Sequence, residues 1–203
     1  MFPLILSLIE KLPFEVSSSQ QQKLLLFVEA LKKWNTAYNL TAIRDQKKMV
    51  SHHIMDSLSV LPFVGEGSIA DVGTGAGLPG VPLAILLPHQ KFHLIDSNAK
   101  KTRFIKQVCH ELKIENISVH NQRVENMDIR VDRVISRAFS SLNDFIKGSQ
   151  SLLEKEGVFL AMKGKIPQKE IDLLPSDLFS LSIHPIKVPG MDAERHLIEI
   201  IKK

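Results

Sequence analysis

Ile69-Ala70-Asp71-Val72-Gly73-Thr74-Gly75-Ala76-Gly77-Leu78-Pro79-Gly80 is the stretch whose reading decides the fold. A β-prone lead reaches Asp71, glycine recurs at every second position, and an apolar helix-like run from Val81 to Leu87 follows. Glycines at a strand-to-helix turn let the backbone take positive φ and let a ligand approach bare N–H groups. Gly75, Gly77 and Gly80 satisfy the Gly-x-Gly-x-x-Gly spacing of a dinucleotide loop. Asp71, two residues before Gly73, adds a carboxylate that suits a ligand bearing a sulfonium and an α-ammonium and suits a pyrophosphate poorly. The turn therefore predicts a nucleotide-type cofactor, with a methyl donor favoured over a dinucleotide.

Working outward, the chain divides in two. Residues 1–64 read as helices only, a helical extension, and residues 65–203 as one compact α/β unit. In the first region Ser17-Ser18-Ser19 offers N-caps, and Leu24, Leu25, Val28, Leu31 and Trp34 share one helical face. A polar loop is expected from Asn35 to Thr41, then a helix from Asp45 through Met49, Ile54, Leu58 and Leu61 until Pro62. The second region alternates: strands at 68–72, 91–95, 117–120, 132–136 and 157–162, with helices at 81–87, 98–112 and 141–153 and an irregular piece at 121–130. Such alternation implies a parallel sheet covered on both faces. Residues 178–188 and 196–201 break the rhythm as two strands joined through Pro189-Gly190. A mostly parallel, seven-stranded Rossmann-like sheet with an antiparallel last strand is the pattern of class I S-adenosylmethionine-dependent methyltransferases.

Composition bounds the rest. The 203 residues are 44% hydrophobic and 24% charged, which suits a buried core with a modest extension. The apolar start, Phe2 to Ile9, lacks a basic lead and a small-residue cleavage site and is closed by Glu10, so it reads as a short amphipathic helix. No stretch reaches the roughly 18 apolar residues of a membrane span, and the expected location is the cytoplasm. Cys109 stands alone in a helical pattern as a core thiol, which removes a thiolate metal cluster and a cysteine nucleophile for attack on a pyrimidine ring. His52 or His53 with Asp56 has helical spacing but no third ligand, so no metal is expected. The net charge of +4 permits a polyanionic partner. Lys47-Lys48, the group Lys100, Lys101, Arg103 and Lys106, and the pair Lys163 and Lys165 are solvated faces taken singly and a phosphate-rich surface taken together.

Three places after strand ends bear on chemistry. Asp96 closes the second strand, where a carboxylate can accept from both ribose hydroxyls or cap the next helix. Val124-Glu125 follows the third strand near the expected adenine position, with a plain surface charge as the alternative for Glu125. Ser136-Arg137-Ala138-Phe139 ends the fourth, where many amino-group methyltransferases carry Asn/Asp-Pro-Pro-aromatic. Arg137 cannot act as a base, so the site fits an acceptor nitrogen with a lone pair and no proton to lose, such as N7 of guanine. Phe139 can stack on that base or belong to the core.

Trp34-Asn35…Tyr38-Asn39-Leu40-Thr41, His53-Ile54-Met55-Asp56-Ser57, the glycine turn, Ser136-Arg137-Ala138-Phe139 and Glu194-Arg195-His196-Leu197 together resemble the RsmG (GidB) family. The resemblance runs from about residue 20 to the C-terminus in the same order, with Ala76 where many relatives carry proline. It implies methylation of N7 of guanosine 527 in the 530 loop of bacterial 16S ribosomal RNA, with S-adenosyl-L-methionine as cofactor and the small ribosomal subunit or its RNA as partner. It also implies cofactor contacts at Gly73, Leu78, Val124, Glu125 and Arg137, beside Gly75 and Asp96 from the motif reading; no catalytic residue is assigned, and a monomer is expected. N7 carries no proton, so alignment and electrostatics matter more than a general base. Arg137 then reads as a cofactor or phosphate anchor. Two other classes remain open: a nicotinamide oxidoreductase, which shares the glycine turn but lacks a visible catalytic dyad, and a non-catalytic RNA-binding assembly factor.

Overall fold

A computed structural model describes residues 2–137, 139 and 141–203. The N-terminal part is helical: α1 (Phe2–Ile9), α2 (Ser18–Tyr38), α3 (Gln46–Met49), α4 (Asp56–Leu58) and α5 (Leu61–Val64). Ser17 starts α2 as a capping box: its hydroxyl accepts from Gln20 N at 3.3 Å while the Gln20 side chain accepts from Ser17 N at 2.9 Å. The predicted loop at 35–41 is half helix, because α2 runs on to Tyr38 and ends on Asn39 in the left-handed region. Asn35 can stay helical and buried because its amide is satisfied at long range, accepting from Thr41 N and donating to the Ile43 carbonyl.

The single helix expected from Asp45 to Pro62 is broken. Asp45 does cap α3, accepting from Lys48 N at 2.8 Å. Between α3 and α4, however, Val50–Met55 widens into a π-helical turn, with Asp56 N donating to the Ser51 carbonyl five residues back. Pro62 stands in the first turn of α5 rather than ending a helix, which its missing N–H allows.

The sheet comprises β1 (Ile69–Val72), β2 (Phe92–Ile95), β3 (Ile117–His120), β4 (Val131–Ser136), β5 (Leu153–Lys163), β6 (Phe179–Pro185) and β7 (His196–Lys202). Helices α6 (Gly80–Leu86), α7 (Ala99–Glu111), α8 (Leu142–Ser149) and α9 (Gln168–Asp172) connect them. Strand order is β3-β2-β1-β4-β5-β7-β6, parallel through β5, with β7 antiparallel to both neighbours. The expected seven-stranded sheet with its antiparallel finish is what the chain forms. The helix expected at 141–153 is shorter: α8 ends at Ser149, a 3-10 turn spans Gln150–Leu152, and β5 begins at once. Helix α9 had no counterpart in the sequence reading.

Alternation along the strands splits the core. Ile69, Phe92, Leu94 and Ile135 face a cluster that includes Phe27 and Leu31 of α2, Leu83 of α6 and Phe104 of α7. Ala70, Ile95, Val134 and Phe159 face the other cluster, with Phe145 of α8. On the first face the Phe27 and Phe104 rings lie 6.1 Å apart and Trp34 stands 5.7 Å from Phe104. Gln20 Nε2 adds hydrogen bonds to the Ile85 and Leu86 carbonyls at the end of α6. Cys109 is buried as expected, and burial pushes its thiol up to about 12. No helix among the described residues is long and apolar enough to cross a membrane. Strand order reverses at β1 and β4, so the carboxyl ends of the parallel strands open a crevice there, where ligands of such sheets bind.

Candidate functional site

The glycine turn leaves β1 into that crevice. Gly73, Gly75 and Gly77 all take positive φ, at 68°, 61° and 82°. Its amides, though, are largely committed within the fold. Gly73 N and Thr74 N donate to the Ile95 carbonyl, Gly77 N and Leu78 N to the Thr74 carbonyl, Gly75 N to Asp96 Oδ2 and Gly80 N to Asp71 Oδ2. The bare N–H groups predicted for this turn are therefore used by the turn itself. That withdraws the donors a pyrophosphate needs. What the turn offers is space: a Cβ placed on Gly75 would meet only the Gly73 carbonyl and Lys101 Nζ, both at 3.9 Å.

Asp71 braces this turn from below instead of reaching the ligand. It is fully buried, and Oδ2 accepts from Thr74 Oγ1 at 2.7 Å and Gly80 N at 2.8 Å, while Oδ1 has no hydrogen-bond partner among the described residues. Burial pushes its carboxyl up to about 6, against the downward pull of those two hydrogen bonds and of Arg137. Gly80 must be glycine, since a Cβ there would sit 2.8 Å from that same Oδ2.

The other predicted cofactor positions lie as follows. Asp96 follows β2 at the crevice and accepts from Asn98 N at 2.8 Å and from Gly75 N at 2.9 Å; the N-cap of α7 is Asn98, so the capping alternative for Asp96 does not hold. Lys101 lies 3.9 Å from Asp96 Oδ2. Leu78 is 4% exposed and packs in the core. Val124 is buried and Glu125 exposed on a 3-10 turn after β3, and both reach toward Gly148 of α8. Phe139 packs 5.4 Å from Phe145, which favours the core reading over base stacking; Ala138 lies outside the described residues.

Arg137 leads to a second feature. Its Nη1 donates to Asp56 Oδ2 at 3.0 Å and to the His52 carbonyl at 3.2 Å. Arg195 Nε takes the other oxygen, Asp56 Oδ1, at 2.9 Å, and Arg195 Nη1 bonds the Glu194 carbonyl. Asp56 is 2% exposed, so one buried carboxylate fixes two arginines from the ends of distant strands. The π-helical turn puts the His52 carbonyl and the Asp56 side chain in reach of the same guanidinium. His53 is also buried; its Nδ1 pairs with the His52 carbonyl at 3.1 Å and its Nε2 with Thr41 Oγ1 at 2.9 Å. Burial and the charge of Arg137 lower it to about 4, so it is neutral at pH 7. These side chains, with Ile43, Met162, Lys163 and Gly164, line a cavity of about 270 Å³.

Sequence reasoning found Arg137 but assigned no role to Asp56 beyond weak metal spacing and none to Arg195. Its one signal for them was their appearance in the quoted family motifs, which the fold now brings together: Asn35, Thr41, His53, Asp56, Arg137 and Arg195 form one hydrogen-bonded constellation.

The chain is similar to solved methyltransferases in fold. It aligns with a SAM-dependent methyltransferase from Aquifex aeolicus at TM-score 0.59 and 17% identity, over 77% of this chain and 94% of that one. It aligns equally with TrmN from Thermus thermophilus, at TM-score 0.59 over 72% of this chain and 48% of that one. In sequence, ribosomal RNA small subunit methyltransferase G of Marinomonas sp. (strain MWYL1) is 48% identical over 190 residues, 93% of this chain and 91% of that protein. The protein of the same description from Neisseria gonorrhoeae (strain NCCP11945) is 45% identical over 191 residues, 93% and 92% of the two chains. The family model described as GidB, rRNA small subunit methyltransferase G, matches residues 20–198. With the class I sheet and the clustered motif residues, these likenesses place the chain in the rRNA small subunit methyltransferase G family.

Proposed function

We propose that this methyltransferase transfers a methyl group from S-adenosyl-L-methionine to N7 of guanosine 527 in the 530 loop of 16S ribosomal RNA. It acts as a monomer in the cytoplasm, where small subunits are assembled. The observation that carries the reading is the gathering of the family's motif residues around Arg137, at the end of β4 and next to the crevice of a class I sheet. Arg137 and Arg195 stay protonated, both oxygens of Asp56 are engaged by them, and both ring nitrogens of His53 are occupied. N7 of guanosine carries no proton, so the transfer needs none of these groups as a base.

Bound in the turn, S-adenosylmethionine would supply an electrophilic methyl on a sulfonium. Gly73, Gly75, Leu78 and Arg137 would hold it at the turn, Asp96 would offer its remaining lone pairs to the ribose hydroxyls, and Val124 and Glu125 would stand at the adenine. The residues then have two tasks, alignment of the in-line displacement and exclusion of water. The test is methylation of small subunits from a strain lacking the modification, using labelled donor and chemical cleavage at N7-methylguanosine. Label at guanosine 527 is expected; label elsewhere, or none, overturns the target.

A further inference from the structure

We propose that the cavity walled by Arg195, Lys163, Arg137 and Gly164 is an anion subsite that takes a backbone phosphate of the RNA strand next to the target nucleotide, while the target base remains outside it. The proposal rests on the RNA-methylating reading above and adds the part of the substrate that this cavity recognises. Its first support is charge. Three cations, Arg137, Arg195 and Lys163, line the cavity against one carboxylate, Asp56. Counting also Glu170, which holds Lys163 Nζ at 3.0 Å, the cations still outnumber the acids.

The second support is the way the donors are fixed. A guanidinium has five N–H groups in a rigid fork. Arg195 commits Nε to Asp56 and Nη1 to the Glu194 carbonyl, so its orientation is set while further N–H groups remain for a ligand. Among the described residues, Arg137 commits Nη1 alone. Because both grip one carboxylate that is 2% exposed, the two forks are held beside each other without mutual repulsion deciding their positions. Such preorganised pairs suit the planar, bidentate recognition of phosphate oxygens.

The third support excludes the base. Alkylated N7 leaves guanosine cationic, and a cavity with surplus positive charge would oppose that product. Arg137 lines the cavity just after β4, the strand paired with β1, from which the glycine turn leaves. A phosphate seated at Arg195 and Lys163 would therefore hold the strand with its neighbouring nucleotide turned toward the glycine cradle.

The experiment measures filter binding of unmodified 16S transcript, and separately of unmodified small subunits, in the presence of S-adenosylhomocysteine over a series of potassium chloride concentrations. Arg195→Gln should weaken binding about tenfold and reduce the slope of log affinity against log salt by about one phosphate contact. Arg195→Lys, which keeps the charge, should restore the slope. Affinity for S-adenosylhomocysteine should be the same in all three proteins. Lys163→Gln makes the same prediction should Arg195→Gln fail to fold. An unchanged salt slope overturns the subsite, and so does a parallel loss of S-adenosylhomocysteine affinity, which would assign the cavity to the cofactor's carboxylate. Absence of binding to either RNA form by the unaltered protein overturns it too. Should the slope change as expected while label maps away from guanosine 527, the subsite stands and the target reading falls.

Discussion

At Asp71 one carboxylate ties Thr74 and Gly80 into the turn while being wholly removed from water, with Oδ1 left unpartnered among the described residues. The consequence is a pH dependence with a definite sign. A carboxyl raised from 3.8 to about 6 binds its proton more tightly folded than unfolded, so this group favours folding at low pH. That contribution fades as pH rises from about 4 through 6, an effect of at most about 3 kcal/mol. His53 works the other way: lowered from 6.5 to about 4, it favours folding above 6.5 and withdraws that support as pH falls toward 4. The two offset each other across the same window. Asp71→Asn removes one side, so urea denaturation should show a steeper loss of stability between pH 6 and pH 4 than in the unaltered protein. Parallel pH profiles for the two proteins would mean that Asp71 has an ordinary carboxyl. The sequence reading gave this carboxylate to a ligand and not to the turn, because which of the two such an acid faces depends on which amides the turn leaves unpaired.

The broken helix from α3 through the π-helical turn to α4 is the element on which the site depends. It carries His52, His53 and Asp56 on one run, and Asp56 joins it to the end of β4 through Arg137 and to the start of β7 through Arg195. Removing that carboxylate leaves two cations pressed together without their counter-charge. Asp56→Asn should cost about 2 to 3 kcal/mol, below the cost of breaking a wholly buried pair because both arginines are about a quarter exposed. Chemical denaturation measures it; a loss under about 0.5 kcal/mol would mean that the arginines re-pair with solvent. The strands were legible from sequence since their apolar runs are bounded by Gly and Asn turns, as at 68–72 and 117–120. The π-helical turn was not, because an extra residue in one turn leaves the apolar spacing of Met49, Ile54 and Leu58 nearly helical. Nor was the convergence on Asp56, whose partners stand 81 and 139 residues away. Local patterns carry elements; pairs this distant are set by topology.

Across the whole molecule, the division into residues 1–64 and 65–203 describes origin in sequence better than independence in folding. Phe104 of α7 and Leu83 of α6 are completely buried, and part of what covers them is Phe27, Leu31 and Trp34 of α2. Helix α1 extends the same core, since Leu8 packs against Gly190 in the loop before β7 and Ile5 is fully buried. Losing that cover would expose the aromatic and aliphatic face of α6 and α7, at roughly 1.5 to 3 kcal/mol for each large side chain, more than a domain's usual margin of about 5 to 15 kcal/mol can bear for many of them. We therefore propose one cooperative unit, in which the helical extension is also the arm that delivers Asp56 and His53 to the crevice. A fragment of residues 65–203 should lack a cooperative thermal transition and should not bind S-adenosylhomocysteine, whereas the full chain should unfold in a single step. A fragment with a sharp transition near that of the full chain would show instead that the sheet and its own helices are self-sufficient, and that the extension serves the site alone.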